Sequence, residues 1–350
     1  MKFLSNDLGV DLGTSNVRIY VDGKGILIRE PSVVALNKNG GKILAVGSEA
    51  RNMLGRTPGN VVAVHPLKDG VVSDHEMTAR MLQDLFRKAS KAKRFTPKPR
   101  VVICVPSGVT EVEERTVVNA AIEAGARRVY LIEEPLAAAL GAGLDISGPN
   151  GHMIVDIGSG TTNVAVLTLN GVAVSSSIKV AGNSFDEAIV RYVRRNHGVV
   201  IGRSMAEDIK ISIGRINEKG NVMQDNPFYE VIGRDPKTGV VQKITLTAAE
   251  LEEVLWRPAR QIVDEVLSVL ENTSPELVSD IAKNGITMTG GGSCLAGMDL
   301  LLTKRTGIHC SRADDADSCV AYGCGKSLGW ISRMKEGPIN IARKRAMRGQ

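Results

Sequence analysis

Two stretches of this chain are built alike, and the pair constrains the fold more than any other feature. The first runs Leu-Gly-Val-Asp-Leu-Gly-Thr-Ser-Asn-Val-Arg-Ile-Tyr-Val from Leu8 to Val21. The second, Asp156 to Asn163, reads Asp-Ile-Gly-Ser-Gly-Thr-Thr-Asn, with apolar runs over 152–155 and 164–169 on either side. Each predicts a strand ending in an acid, a turn rich in glycine and hydroxyls, and a second strand leaving. Both share Asp-(Leu/Ile)-Gly and a terminal Asn-Val, so the second loop reads as two residues longer. Glycine lets a backbone approach a ligand closely, and successive free N–H groups form a concavity suited to anions. An acid repels a bare phosphate, so Asp11 and Asp156 argue for a cation between, Mg²⁺ with its waters. One such stretch is equally well a Gly-rich hairpin turn. Two copies predict an internal duplication, with two similar domains presenting one hairpin each to the same phosphates.

The rest of the chain is compatible with that frame. Its 350 residues allow two or three domains. No apolar run approaches the ~18 residues of a membrane-spanning helix, and Met1 to Asp7 is too short and polar for a secretory signal. The five cysteines are odd in number and lack zinc-like spacing, which reads as reduced thiols in a cytosolic protein. Net charge is +6, but residues 87–100 alone carry seven Lys or Arg and no acid, and residues 333–350 carry six against one. The remainder is mildly acidic. That argues against a general nucleic-acid surface and leaves room for a local contact with an anionic membrane. Phe95, at the centre of the first basic segment, is the candidate to insert among lipids; a solvated loop is the other reading.

Several further positions invite chemistry. Thr110-x-x-Glu113, Ser204-x-x-Glu207 and Thr247-x-x-Glu250 have the form of capping boxes. Pro258 is expected to kink or split the long helix after Thr247. Glu134, before Pro135, either caps the helix that follows or faces a cleft and orients a water for attack on a γ-phosphate. The small apolar run from Leu136 to Gly143 suits a tightly packed helix linking two domains. Gly290-Gly-Gly292-Ser293 follows a predicted strand and reads as a tight turn or a wall against adenine and ribose.

Together these pieces resemble the actin-like ATPase superfamily and, within it, the MreB/Mbl family. The resemblance runs from about Leu8 to Trp330 and rests on the two Asp-Gly loops, Glu30-Pro-Ser-Val-Val34, Val105-Pro-Ser-Gly108, Ile132-Glu-Glu-Pro135, Val180-Ala-Gly182, Glu207-Asp-Ile-Lys210 and Thr289-Gly-Gly-Gly292. The Leu54-Gly-Arg-Thr-Pro-Gly59 and Pro66-Leu-Lys-Asp-Gly70 stretches make the narrower match specific. It implies an α/β, actin-like ATPase fold of two duplicated ribonuclease-H-like domains. Each has a smaller inserted subdomain, and an ATP cleft lies between them. The implied boundaries are 1–30, 65–140 and 315–335 for subdomain IA, 31–64 for IB, 141–180 and 246–314 for IIA, 181–245 for IIB, and 336–350 for a basic tail.

The resemblance also implies ATP and Mg²⁺ as cofactors and hydrolysis coupled to polymerisation into paired protofilaments. It implies residence on the inner face of the cytoplasmic membrane, and a role in cell-wall synthesis and rod shape with elongation proteins such as RodZ, MreC and MreD. Carried over by position, Asp11 and Asp156 are the metal-side acids, acting through water. Gly13, Thr14, Ser15 and Asn16, with Gly158, Ser159, Gly160 and Thr161, are the phosphate loops. Gly182, Glu207, Asp208, Ile209 and Lys210, with Gly290, Gly291, Gly292 and Ser293, form the nucleoside side. Glu134, Thr161 and Asp156 are the catalytic group, with Glu134 positioning the water. The family usually has glycine where this chain has Ser159 and an acid where it has Asn163, so binding is expected to be kept and hydrolysis slowed. Met1 to Asp7 is too short for the amphipathic membrane helix some members carry. A chaperone of the same superfamily would need a substrate-binding domain after the ATPase, and a small-molecule kinase would need a substrate acid in the cleft and larger inserts.

Overall fold

Apolar runs of this sequence become strands buried on both faces, and alternating runs become their half-exposed neighbours. The computed structural model describes residues 7–39, 41–90, 98–217 and 225–331. Phe95 and the basic tail lie outside the described residues.

One sheet contains β1 (Leu8–Leu12), β2 (Asn16–Val21), β3 (Gly25–Pro31), β4 (Arg100–Val105) and β5 (Arg128–Glu133). Its order is β5-β4-β1-β2-β3, with β2 and β3 antiparallel and β4 and β5 parallel to their neighbours. The other contains β6 (His152–Ile157), β7 (Thr162–Thr168), β8 (Gly171–Ile178), β9 (Ile286–Thr289) and β10 (Cys310–Arg312). Its order, β8-β7-β6-β9-β10, and its strand directions repeat those of the first. The duplication suggested by two loops is therefore a duplication of whole sheets. β1 is buried throughout, whereas β2 alternates, with Val17, Ile19 and Val21 inward, as expected of a central strand and its neighbour.

Register corrects one expectation. Leu12 faces Val17 and Asp11 faces Arg18 in the first hairpin; Ile157 faces Thr162 and Asp156 faces Asn163 in the second. Each turn then spans four residues, 13–16 and 158–161, so the loops are equal in length. The repeated Asn-Val is out of register by two, and the position equivalent to Asn163 is Arg18.

The principal helices are α1 (His75–Ser90), α2 (Glu111–Glu123), α3 (Glu134–Ala142), α4 (Gly182–His197), α5 (Arg203–Ile213), α6 (Ala248–Glu271) and α7 (Cys319–Ile331). Between the sheets, α3 and α7 share one core with Val102, Tyr130 and Ile132 of the first sheet and Ile154, Ala165 and Leu167 of the second. The helices touch backbone to backbone. A Cβ on Gly141 would stand 1.7 Å from the Cys319 carbonyl oxygen, and one on Gly323 would stand 1.7 Å from that of Ala137. Small residues in both helices are what permit this approach.

Thr110 and Thr247 form the expected capping boxes. Ser204 does not, because α5 starts two residues earlier than that cap implies, with Gly202 as its N-cap, which frees Glu207. Pro258 does not split α6, which is continuous over its 24 residues; the missing N–H costs one hydrogen bond that packing of the flanking buried residues offsets. Residues 34–64 form a small three-stranded sheet around Val33, Ala35, Ala45 and Ala50. The turn-rich stretch after α5 contains a hairpin of Phe228–Arg234 with Val241–Thr247. Of the first basic segment, Arg87 and Lys88 pair with Asp84 and Arg100 pairs with Asp7. No helix among the described residues is long and apolar enough to cross a membrane.

Candidate nucleotide cleft

The two hairpin turns meet across the gap between the sheets. The Ser15 N–H donates to Ser159 Oγ at 3.1 Å. A Cβ on Gly160 would lie 2.5 Å from Thr14 Oγ1, so this turn needs glycine for its approach to the other. Ser159 is absent from the residues with positive φ, so a side chain is tolerated there without backbone strain. Behind the first turn, Ser32 Oγ donates to the Gly13 carbonyl at 2.6 Å and the Ser32 N–H to the Ser15 carbonyl at 2.8 Å. Behind the second, the N–H groups of Gly182 and Asn183, opening α4, donate to the carbonyls of Gly158 and Ser159.

A third loop belongs to the cleft, one the sequence reading did not assign to it. Asp69 and Gly70 adopt left-handed backbone, φ 50° and 81°, and reverse the chain between Leu67–Lys68 and Val71–Val72. The Gly70 N–H donates to Thr14 Oγ1 at 2.8 Å. The Asp-Gly dipeptide was the available signal, since it is the common solution for two consecutive positive-φ positions.

Three buried carboxylates face the inner chamber. Asp11, ending β1, lies 3.4 Å from Arg18 Nη1 and accepts a long bond from Cys104 Sγ at 3.8 Å. Asp156, ending β6, accepts from Thr289 Oγ1 at 2.7 Å. Glu134 opens α3 behind the N-cap Glu133, so it does not cap; its Oε2 accepts from Asn163 Nδ2 at 2.5 Å. Burial pushes all three carboxyls up from their ordinary values. Asp156 is raised to about 6, chiefly by burial, with Asp11 adding to it and the Thr289 hydrogen bond opposing it. Glu134 is raised well above its usual range by burial and then by Asp156 and Asp11. Asp11 is raised by burial while Arg18 opposes the shift. Such a surplus of buried negative charge fits a divalent cation. Among the described residues no three His, Cys, Asp or Glu side chains form a direct ligand cage.

The inner chamber, about 270 Å³, continues into an outer one of about 320 Å³, and both are lined by Thr14, Ser15, Asn16 and Glu207. Gly290, Gly291 and Gly292 form one wall. Gly290 has φ 80° and would place a Cβ 2.3 Å from the Ile157 carbonyl oxygen, so the turn lies directly on the end of β6. Gly13, Gly158, Gly160, Thr161, Gly182 and Lys210 also line the inner chamber. Lys210 Nζ is held by Asp186 at 2.7 Å and by the Gly182 carbonyl at 3.1 Å. Three expected positions are not brought in. Ile209 sits in the core of the second domain, Asp208 is exposed away from the lining, and Ser293 turns inward to donate to the Gly290 carbonyl at 2.6 Å. The reason is helical phase: Glu207, Lys210 and Ile211 share a face at i, i+3 and i+4. Ile211, 73% exposed, lines the chamber instead. Across the mouth, Arg51 Nη2 of the small sheet's insert meets Glu207 Oε2 at 2.8 Å.

The sequence profile described as MreB/Mbl protein matches residues 5–336. This chain belongs to the MreB/Mbl family. It is 48% identical over 331 residues to the cell shape-determining protein MreB of Escherichia coli (strain K12), spanning 93% of this chain and 94% of that one. It is 46% identical over 326 residues to the cell shape-determining protein Mbl of Bacillus subtilis (strain 168), spanning 93% and 96%. The crystal structure of MreB5 of Spiroplasma citri bound to ADP superposes with a TM-score of 0.87 at 37% identity, covering 93% of this chain and 97% of that one. The actin-like ATPase fold expected of the sequence is the fold observed.

Proposed function

We propose that this MreB/Mbl-family chain is an ATP-dependent cytoskeletal filament subunit that polymerises on the inner face of the cytoplasmic membrane and organises cell-wall synthesis and rod shape. The observation that carries the reading is the pair of equivalent hairpins, each ending in a buried acid, opposed across one cleft. Family membership and the ADP-bound relative support nucleotide as the occupant. In this reading residues 31–64 and 181–245 are the inserted subdomains, and the ion pair of Arg51 with Glu207 is a contact between them. The Phe95 loop is the proposed membrane contact, and RodZ, MreC and MreD are the partners implied by the family.

Within the cleft, N–H groups of the turns 13–16 and 158–161, other than those of Ser15 and Gly158 that are already engaged, receive the phosphate oxygens, and Glu207 and Lys210 receive the nucleoside. Magnesium, when bound, would neutralise charge between the phosphates and the acids Asp11 and Asp156 through its waters. Glu134 orients the attacking water; burial, with Asp156 and Asp11 adding to it, raises its carboxyl, and a bound cation would oppose that rise. Asn163 holds Glu134 through Nδ2, while its buried Oδ1 has no protein partner and is available to accept from the same water. An amide oxygen accepts more weakly than a carboxylate, so hydrolysis is slow for this family. Thr161, at the end of the second turn, faces the same chamber.

The test is ATP-dependent pelleting followed by electron microscopy. Filaments that form with ATP and are lost in Asp156→Ala are the expected result. Release of ADP stimulated by a sugar, without filaments, would instead assign the chain to the kinases of the superfamily.

A further inference from the structure

The cross-strand partner of Asp11 is a cation, and the nucleotide reading leaves it without a role. Directly opposed residues of an antiparallel pair place their side chains on one face, so Arg18 shares the cleft face with Asp11 and lines the inner chamber. Its contact with Asp11 is long, 3.4 Å, whereas Nη2 donates to Asp317 Oδ2 at 2.7 Å. Asp317 is therefore the stronger anchor. It belongs to a short 3-10 turn, Ala316–Ser318, that is itself fixed. The Gly290 N–H donates to the Ala316 carbonyl at 2.8 Å, and Asp315 lies 3.5 Å from Arg29. The guanidinium is thus tethered from the rear and only loosely engaged in front. A guanidinium has five N–H donors, so donors remain for other oxygens. Two cations line the inner chamber among the described residues, and the other, Lys210, is engaged by Asp186 and the Gly182 carbonyl.

We propose that Arg18 is a resident cation of the phosphate cradle, tethered by Asp317, which moves its front donors from Asp11 to phosphate oxygens when nucleotide enters. The proposal rests on the nucleotide reading of the cleft. Its consequence is that Arg18 and a divalent ion share one task, neutralising phosphate beside Asp11. Nucleotide is then held without metal through Arg18, and metal is drawn to Asp11 more strongly once Arg18 is removed. An arginine that only tied β2 to the 3-10 turn would have no such link to metal.

The experiment is calorimetric titration of the full chain with ATP, once in EDTA and once in excess Mg²⁺, on the parent, Arg18→Leu and Arg18→Lys. Loss of charge-assisted bonds predicts that Arg18→Leu weakens metal-free ATP binding about thirtyfold and Mg²⁺-ATP binding less than about threefold, with Arg18→Lys recovering most of the difference. The Mg²⁺ concentration that half-restores binding falls in Arg18→Leu. Equal weakening in both conditions, or none in EDTA, overturns the proposal. A parent that binds no ATP in either condition overturns the nucleotide reading as well. Should Arg18→Leu fail to fold, Asp317→Asn keeps the guanidinium and cuts its tether. That variant is expected to lose about threefold in EDTA alone, and a loss equal in both conditions refutes the tether.

Discussion

The two hairpins of the cleft have the same strand order, the same register and turns of equal length, yet the residue opposite the acid differs. In the first hairpin Asp11 faces Arg18; in the second Asp156 faces Asn163. The frame is therefore fixed by pairing and burial, while the opposing side chain is free to set chemistry. A guanidinium opposite Asp11 opposes the upward push of burial on that carboxyl. An amide opposite Asp156 leaves it at about 6 and reaches sideways to Glu134. In the proposed mechanism the first hairpin manages charge and the second manages the water.

The sharpest break of this comparison is to remove the acids one at a time. Asp156→Ala is expected to abolish ATP-dependent filaments in a pelleting assay, whereas Asp11→Ala, which leaves Arg18 in place, retains weak ATP binding. Next in size is Glu134→Ala: single-turnover hydrolysis falls about a hundredfold while ATP affinity, by calorimetry, changes less than about threefold. If affinity falls as far as the rate, Glu134 is not confined to the chemical step.

The asymmetry also predicts a pH dependence of stability without nucleotide or metal. Asp156 titrates at about 6 folded against 3.8 as its ordinary value, so the folded state holds the extra proton. Its contribution is full below about pH 4 and is lost as pH rises through about 6, with Glu134, also raised by burial, acting in the same direction. Denaturant titrations should show stability falling by on the order of 2 kcal/mol across that window. The fall should flatten in Asp156→Asn; a slope that persists there assigns it to other groups. Asn163→Glu is expected to raise single-turnover hydrolysis about tenfold by giving the water a stronger acceptor, and an unchanged rate removes Asn163 from the water site. The smallest effect is at the mouth. Arg51→Ala should speed ADP release only about threefold, because a half-exposed ion pair contributes about 1 kcal/mol or less.

Much of this was legible in the sequence because the phosphate loops announce themselves through acid and glycine spacing. Asp11, Asp156, Glu134 and the triple glycine all reach the cleft as read. What failed has a common cause. The repeated Asn-Val suggests one alignment of the loops, but register is set by pairing with a neighbouring strand that the linear sequence does not contain. Ile209 belongs to its motif by position, but helical phase turns it into the core and brings Ile211 outward. Glu207 matched a capping box by spacing, yet Gly202 caps the helix and Glu207 crosses to Arg51. The Asp69–Gly70 turn stands in a family motif, but its place in the cleft is not visible along the chain, because its contact with Thr14 joins residues far apart in sequence.

The crossing of α3 and α7 at Gly141 and Gly323 has a mechanical consequence. With carbonyl oxygens of each helix seated where the other lacks a side chain, the domains cannot slide along one another without driving backbone into backbone. A bulkier side chain at either glycine would force the two helices apart, although neither glycine lines the cleft.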